Sequence, residues 1–325
     1  MKIITKQGLK DSFTILKAAF SGFSDDRCLK FSASLAYYTI FSLAPLLLLL
    51  ISLAGAFFGR EAAQGRIFGE INGLIGDKAA VQVQDMIKAL ELSGKTTISV
   101  IIGVVTLLIG ATTIFGEIQD SINIIWKVKA KPKRGWVKLL KDRLLSSSLI
   151  VTIGFLLMVS LVVNGVVLAL SERLKAFLPD ITVTVLGIVN AAVSFLVIAL
   201  LFGIIFKVLP DVKIRWKHVR AGAFFTACLF MIGRFVISLY IEKTASGSTY
   251  GAAGSLIVVL LWIYYTAAIL YFGAEFTQAY TEYAGARIEP ADYAVHVEQK
   301  ETEKDVAELP PQHEEELAPV KKNGA

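Results

Sequence analysis

From Thr244 to Ala274 the chain carries no charged side chain, and this run closes on Glu275. At about 1.5 Å per helical residue, a run of that length exceeds a hydrocarbon core of roughly 30 Å, so even a tilted helix crosses it. Its apolar residues do not alternate with period two. Leu256 to Leu261, followed by Trp262, is too evenly hydrophobic for a surface helix of a soluble protein. Steps of three and four back from Gln278 meet Glu275, Tyr271, Ala268 and Tyr264, which share one side of a helix. A carboxylate there is costly against lipid, so that side faces protein or water. The residues fit an anchor near the membrane interface and a polar site inside a helix bundle equally well.

Composition extends the argument to the whole chain. With 55% hydrophobic and 18% charged residues over 325 positions, the protein is too apolar for an ordinary soluble domain. The expected fold is all-α, a polytopic six-transmembrane-helix bundle. Its spans fall at about 31–59, 96–122, 144–171, 181–206, 221–241 and 252–280. Residues 1–30 read as a cytoplasmic amphipathic segment in which Leu9, Phe13, Leu16, Ala19, Phe20 and Phe23 recur at helical spacing. That helix fits the membrane surface or the protein's own cytoplasmic loops. Residues 60–95 read as an extracytoplasmic loop of short amphipathic helices, and 286–325 as a disordered acidic cytoplasmic tail. The first apolar run, from Phe31 to Gly59, is far longer than a signal-peptide core. Cys28 and Cys228 are the only cysteines and imply no disulfide framework.

Charge sets the orientation. Residues 1–30, 117–143 and 207–220 together hold nineteen Lys and Arg, against eight in 59–95, 172–180 and 242–252. This bias places both termini in the cytoplasm. The basic run from Lys127 to Arg143 has the chemistry to hold phosphates, but a topology signal beside a membrane helix explains it without a ligand.

Polar residues inside the spans are the candidates for function. Tyr37 and Tyr38 lie in the first span, ahead of Pro45, which kinks it. In the second, Gly103, Thr106, Gly110, Thr113, Glu117 and Asp120 form one small, polar face. Arg234 stands well inside the fifth, where an arginine costs about 2.5 to 3.5 kcal/mol near the helix centre unless it snorkels outward. Glu117, Asp120 and Glu275 are all near the inner ends of their spans, so they are expected to line a polar cavity with Tyr37, Tyr38 and Tyr271. Arg234 would mark its outer part.

Three stretches taken in order carry a family likeness. They are Lys30-Phe-Ser-Ala-Ser-Leu-Ala-Tyr-Tyr-Thr-Ile-Phe-Ser-Leu-Ala-Pro45, then Asn123-Ile-Ile-Trp126, then Tyr250-Gly-Ala-Ala-Gly254 leading to Leu261-Trp-Ile-Tyr-Tyr265 and Gly273-Ala-Glu275. The chain resembles the YihY/BrkB family of bacterial inner-membrane proteins over residues 10 to about 285. The resemblance implies a multi-pass protein of the bacterial cytoplasmic membrane with six spans. It brings no agreed chemistry, since its members have carried a ribonuclease BN label and have been connected with envelope lipid export.

The residues argue against a nuclease. Such an enzyme needs converging histidines and carboxylates, whereas the histidines here are His218 in a loop and His296 and His313 in the tail. No Gly-rich phosphate loop ends in Gly-Lys-Ser or Gly-Lys-Thr. The expectation is therefore a non-enzymatic protein with no cofactor, no metal site and no nucleic-acid partner, whose partner is membrane lipid, an anionic one fitting best. Two functions remain: transport or flipping of a lipid-like or anionic amphiphile, and a non-transporting scaffold for envelope machinery.

Overall fold

A computed structural model describes residues 6–42, 97–131, 179–244 and 252–298, with a few helical residues between 61 and 84. The expected span at 144–171, most of the 60–95 loop, the second half of the first span and the tail beyond Glu298 lie outside the described residues. The described helices are α1 (Lys6–Asp25), α2 (28–42), α3 (Thr97–Ile125), α4 (Pro179–Val208), α5 (Trp216–Thr244) and α6 (Ala252–Tyr283). Three stretches within α4, α5 and α6 are long and apolar enough to cross a membrane: Gly187–Val208, Trp216–Ile237 and Ile257–Tyr283. Large apolar side chains on α4 and α5, among them Ile188, Leu196, Phe224, Ile232 and Phe235, face outward and are more than half exposed. That is the surface a lipid-embedded bundle presents.

α6 is the most buried of the three and packs against α1, α3 and α5. Its seam with α5 is built by reciprocal small-residue contacts. A Cβ on Gly222 would stand 1.8 Å from Thr277 Oγ1, and one on Gly273 would stand 2.0 Å from Thr226 Oγ1. Each threonine hydroxyl donates to the glycine carbonyl one turn back on its own helix, at 2.7 Å. Hydroxyl and missing Cβ therefore interlock in both directions, and the two backbones approach closely. Tyr265 fills the same role against Gly233, which fixes the helices as antiparallel.

α1 and α3 end in the same way. Arg27 and Lys127 both take the left-handed conformation at φ 54°, unusual for residues with a Cβ, and close the helix with backbone bonds from Asp26 to Gly22 (2.8 Å) and from Trp126 to Ile122 (2.9 Å). The side chains of Asp26 and Lys127 form an ion pair that joins the two ends. On α1 the buried face is Ile15, Ala19 and Gly22, whereas Phe13, Leu16 and Phe20 point outward. The stripe read in the sequence is thus split: Ala19 and Phe23 face the bundle, Phe23 edge-on to Phe272 of α6, whereas Phe13, Leu16 and Phe20 form the exposed side.

Four short strands cap this end of the bundle. β1 (Val128–Ala130) pairs antiparallel with β4 (Ala294–His296), and β2 (Val212–Lys213) pairs antiparallel with β3 (Glu289–Pro290). Disorder expected from residue 286 is thereby corrected for 286–298. This strap is held by backbone pairing to β1 and β2, a signal that two- and three-residue strands do not print in a hydropathy pattern. The core sits just beneath it, where Ile122, Trp126, Phe206, Leu209, Val219 and Tyr271 meet.

Candidate functional site: two buried carboxylates at one end of the bundle

Glu275 is only 5% exposed, although it stands on an apolar helix. It is positioned from three sides. The missing Cβ of Gly22 makes room for its carboxylate, since an added one would lie 2.4 Å from Oε2. Cys28, at the start of α2, donates its thiol to Oε1 at 3.7 Å. The Asp26–Lys127 ion pair lies close enough to act on Glu275 electrostatically. Trp126 then fixes the local height of α6 by donating Nε1–H to the Ala274 carbonyl at 3.1 Å. One turn away Tyr271 is fully buried, edge-on to Phe31 with ring centroids 6.2 Å apart. Its hydroxyl lies beside Ser121 without the geometry of a hydrogen bond, and Glu117 is near enough to contribute to its field.

The Cys28 thiol is pushed above the ordinary thiol range, first by burial and then by the negative charges of Glu275 and Asp26. It stays protonated and remains a donor. Chemically the cluster can hold a proton between a carboxylate, a second carboxylate and a thiol in a largely buried region that Asp26 and Lys127 border on the solvent side. Among the described residues no group of His, Cys, Asp and Glu has the arrangement of a metal site.

The second buried acid, Asp211, lies in the turn between α4 and α5 and is 1% exposed. Gln119 Nε2 donates to its Oδ1 at 3.1 Å, Tyr293 Oη to the same oxygen at 2.9 Å, and Asn123 Nδ2 to Oδ2 at 2.9 Å. Asp211 returns its own N–H to Asn123 Oδ1 at 2.9 Å and accepts the Ala291 N–H on its carbonyl at 2.9 Å. One carboxylate thereby ties α3, the α4–α5 turn and the strap together. Asp211 was missed by sequence reasoning. The available signal was its position as the single acid in a 207–220 loop that otherwise holds five cations.

Comparison with known proteins gives the family. The family model described as virulence factor BrkB matches residues 19–295. The chain belongs to the BrkB family. Its relatives carry the name UPF0761 membrane protein. That of Verminephrobacter eiseniae is 27% identical over 254 residues, covering 76% of this chain and 57% of the relative. That of Methylibium petroleiphilum is 27% identical over 264 residues, covering 80% and 60%. That of Haemophilus influenzae is 26% identical over 275 residues, covering 82% and 94%. The chain thus spans less than two thirds of the first two relatives. No solved structure matches.

Residues from each of the stretches that carried the BrkB likeness meet at this site. Asn123 grips Asp211, Trp126 grips the carbonyl before Glu275, and the helix that begins the first stretch supplies Phe31 and Ser32 beside Cys28. Of the residues singled out in the sequence, the structure brings Tyr271 and Glu275 into this cluster, with Glu117 half-buried at its edge. Asp120 points to the exposed side of α3. Tyr37 is 59% exposed and packs on Tyr38 and Phe41, two turns of α2 beyond Phe31. Arg234 is half-buried at the level of Tyr265, so it stands about 15 Å along α6 from Glu275. A single cavity lined by all of these residues is therefore not what the described residues form. The buried face of α3 at this end is Ile118, Gln119, Ile122 and Ile125, turned from the expected stripe by the pull of Asp211 on Gln119 and Asn123.

Proposed function

We propose that this integral membrane protein crosses the bacterial cytoplasmic membrane six times with both ends inside, and moves or presents a lipid-like anion by a non-enzymatic mechanism. The observation that carries this reading is Glu275: a buried carboxylate, facing a thiol and a second carboxylate, in a helix whose other charge, Glu282, lies only in its last turn. Ionisable groups kept inside a membrane at such cost are those that a substrate or a coupling ion uses. The basic sequence of 117–143 and 207–220 attracts the anion, Glu275 exchanges the coupling proton, and the outward aromatic face of α1 lies in the headgroup region.

The test is translocation of a fluorescent phosphatidylglycerol in proteoliposomes, followed by dithionite quenching. Glu275→Gln keeps the side chain's shape and is expected to abolish the protein-dependent signal while leaving abundance and folding normal. An unchanged signal in that variant ends the transport reading and leaves the scaffold function in its place.

A further inference from the structure

A cavity of about 520 Å³ opens beside the strap, where α4 and α6 end and α5 begins. Lys207, Lys213, Arg215, His218 and Arg287 line it, with Glu289 as the acid on its wall. Such a volume is in the usual range for a small-molecule site, roughly 300 to 1,000 Å³, and is larger than a lone inorganic anion needs. The cations are not equivalent. Lys207 is anchored on the Ile214 carbonyl at 2.5 Å, and Lys213 is paired with Asp292. The hydrogen bond that the Lys213 ammonium donates to Asp292, then the charge of that carboxylate, hold Lys213 above the ordinary lysine range, so it stays charged at any physiological pH. Arg215 and Arg287 are exposed and carry the planar forks that suit phosphate oxygens.

Histidine 218 supplies an independent observation. The side chain is 6% exposed, and its buried Nδ1 has no hydrogen-bond partner among the described residues. A buried polar atom left unpaired is costly, so a turn of the imidazole that brings Nδ1 to a group bound in the cavity is favoured. The first turn of α5, which begins at Trp216 between Arg215 and His218, adds the positive end of a long helix.

We propose that this cavity binds a phosphate-bearing anion, with Arg215 and Arg287 gripping the phosphate oxygens and His218 bonding the ligand at the inner wall. The proposal deepens the translocation reading, on which it rests for the role of the bound anion, by giving that anion a site on the side where the proposed topology places the cytoplasm. Its chemistry is shared by a phospholipid headgroup and a soluble phosphate ester, so both are tried.

The purified full chain is titrated calorimetrically with glycerol 3-phosphate in detergent. It is also examined by native mass spectrometry after transfer from phosphatidylcholine nanodiscs with and without phosphatidic acid. The Arg215→Ala/Arg287→Ala variant is expected to weaken binding about tenfold or more. The Lys129→Ala/Lys131→Ala variant removes equal charge from exposed positions outside the cavity and is expected to bind as the parent does. His218→Leu is expected to weaken binding and His218→Gln to restore part of it. Binding of phosphatidic acid alone assigns the site to a lipid headgroup, and binding of glycerol 3-phosphate alone assigns it to a soluble ester. Binding of neither ligand, or equal loss in the control variant, overturns the site. Because Glu275→Gln leaves the cavity intact, undiminished binding in a variant without translocation separates the failure of one reading from that of the other.

Discussion

Asp211 and Glu275 are both carboxylates, both about as buried as a side chain can be, and both at the same end of the bundle, yet their surroundings differ in kind. Three side-chain donors converge on Asp211, and its backbone is bonded as well. Glu275 receives a thiol at 3.7 Å and faces Asp26 and a bare glycine. A carboxylate so fully satisfied holds structure together. One so poorly supplied with donors gives up its charge at little structural cost, and is the one free to change protonation state.

Applying the same chemical change to both acids breaks or confirms this contrast. Asp211→Asn replaces one of the two accepting oxygens by an NH2, which meets either the Asn123 amide or the Gln119 amide and Tyr293 hydroxyl. Asn123 cannot flip to accommodate it without losing the Asp211 N–H. The expected loss is about 3 kcal/mol, read as a fall in the thermal midpoint by intrinsic fluorescence in detergent. Glu275→Gln should stay within about 1 kcal/mol of the parent in the same measurement, because no donor network is disrupted. If the glutamine variant loses as much as the asparagine variant, Glu275 is a structural acid and the contrast fails.

A second change asks whether Glu275 is poorly supplied merely because its part of the bundle is loose. Gly273→Ala, two residues before it, drives a Cβ into Thr226, whose hydroxyl is already committed to Gly222. In a tight seam this overpacking costs about 1 to 3 kcal/mol by thermal unfolding. Tolerance without loss would mean that α5 and α6 are free to shift and that the surroundings of Glu275 are not fixed.

Much of this molecule was legible in the sequence. Length and evenness of the apolar runs gave α4, α5 and α6, and the three- and four-residue steps placed Tyr271 with Glu275 on the inward side of α6. What was hidden depends on tertiary convergence. Asp211 meets partners 82 to 92 residues away, on a helix and a strap that no local pattern connects to it. On α1 three of the large apolar residues in the helical pattern, Phe13, Leu16 and Phe20, lie off the packed face, and the small Ala19 and Gly22 on that face, which the pattern does not set apart, let α6 and Glu275 approach. The basic cavity was half visible. Its 207–220 cations stood out as a topology signal, but Arg287 joins them only because the strap folds back across the helix ends.

The smallest effect is also the most local probe of the Glu275 side of the contrast. Burial, then Glu275, then Asp26 raise the Cys28 thiol above its ordinary range, so at a given pH less of it is thiolate and maleimide labelling is slow. In a Cys228→Ser background the labelling rate should therefore rise only at distinctly alkaline pH. A thiol raised in the folded state binds its proton more tightly there than in the unfolded chain. Its contribution to stability is thus present below the ordinary thiol pKa and is lost as pH climbs through the folded value. Adding Glu275→Gln removes the second of the raising causes but leaves burial, so the pH–rate profile should move toward neutral while remaining above that of a free thiol. A shift in that direction means the carboxylate carries charge beside Cys28. An unmoved profile means that Glu275 already holds its proton across the range, which is the state in which it would wait for a substrate anion to draw that proton away.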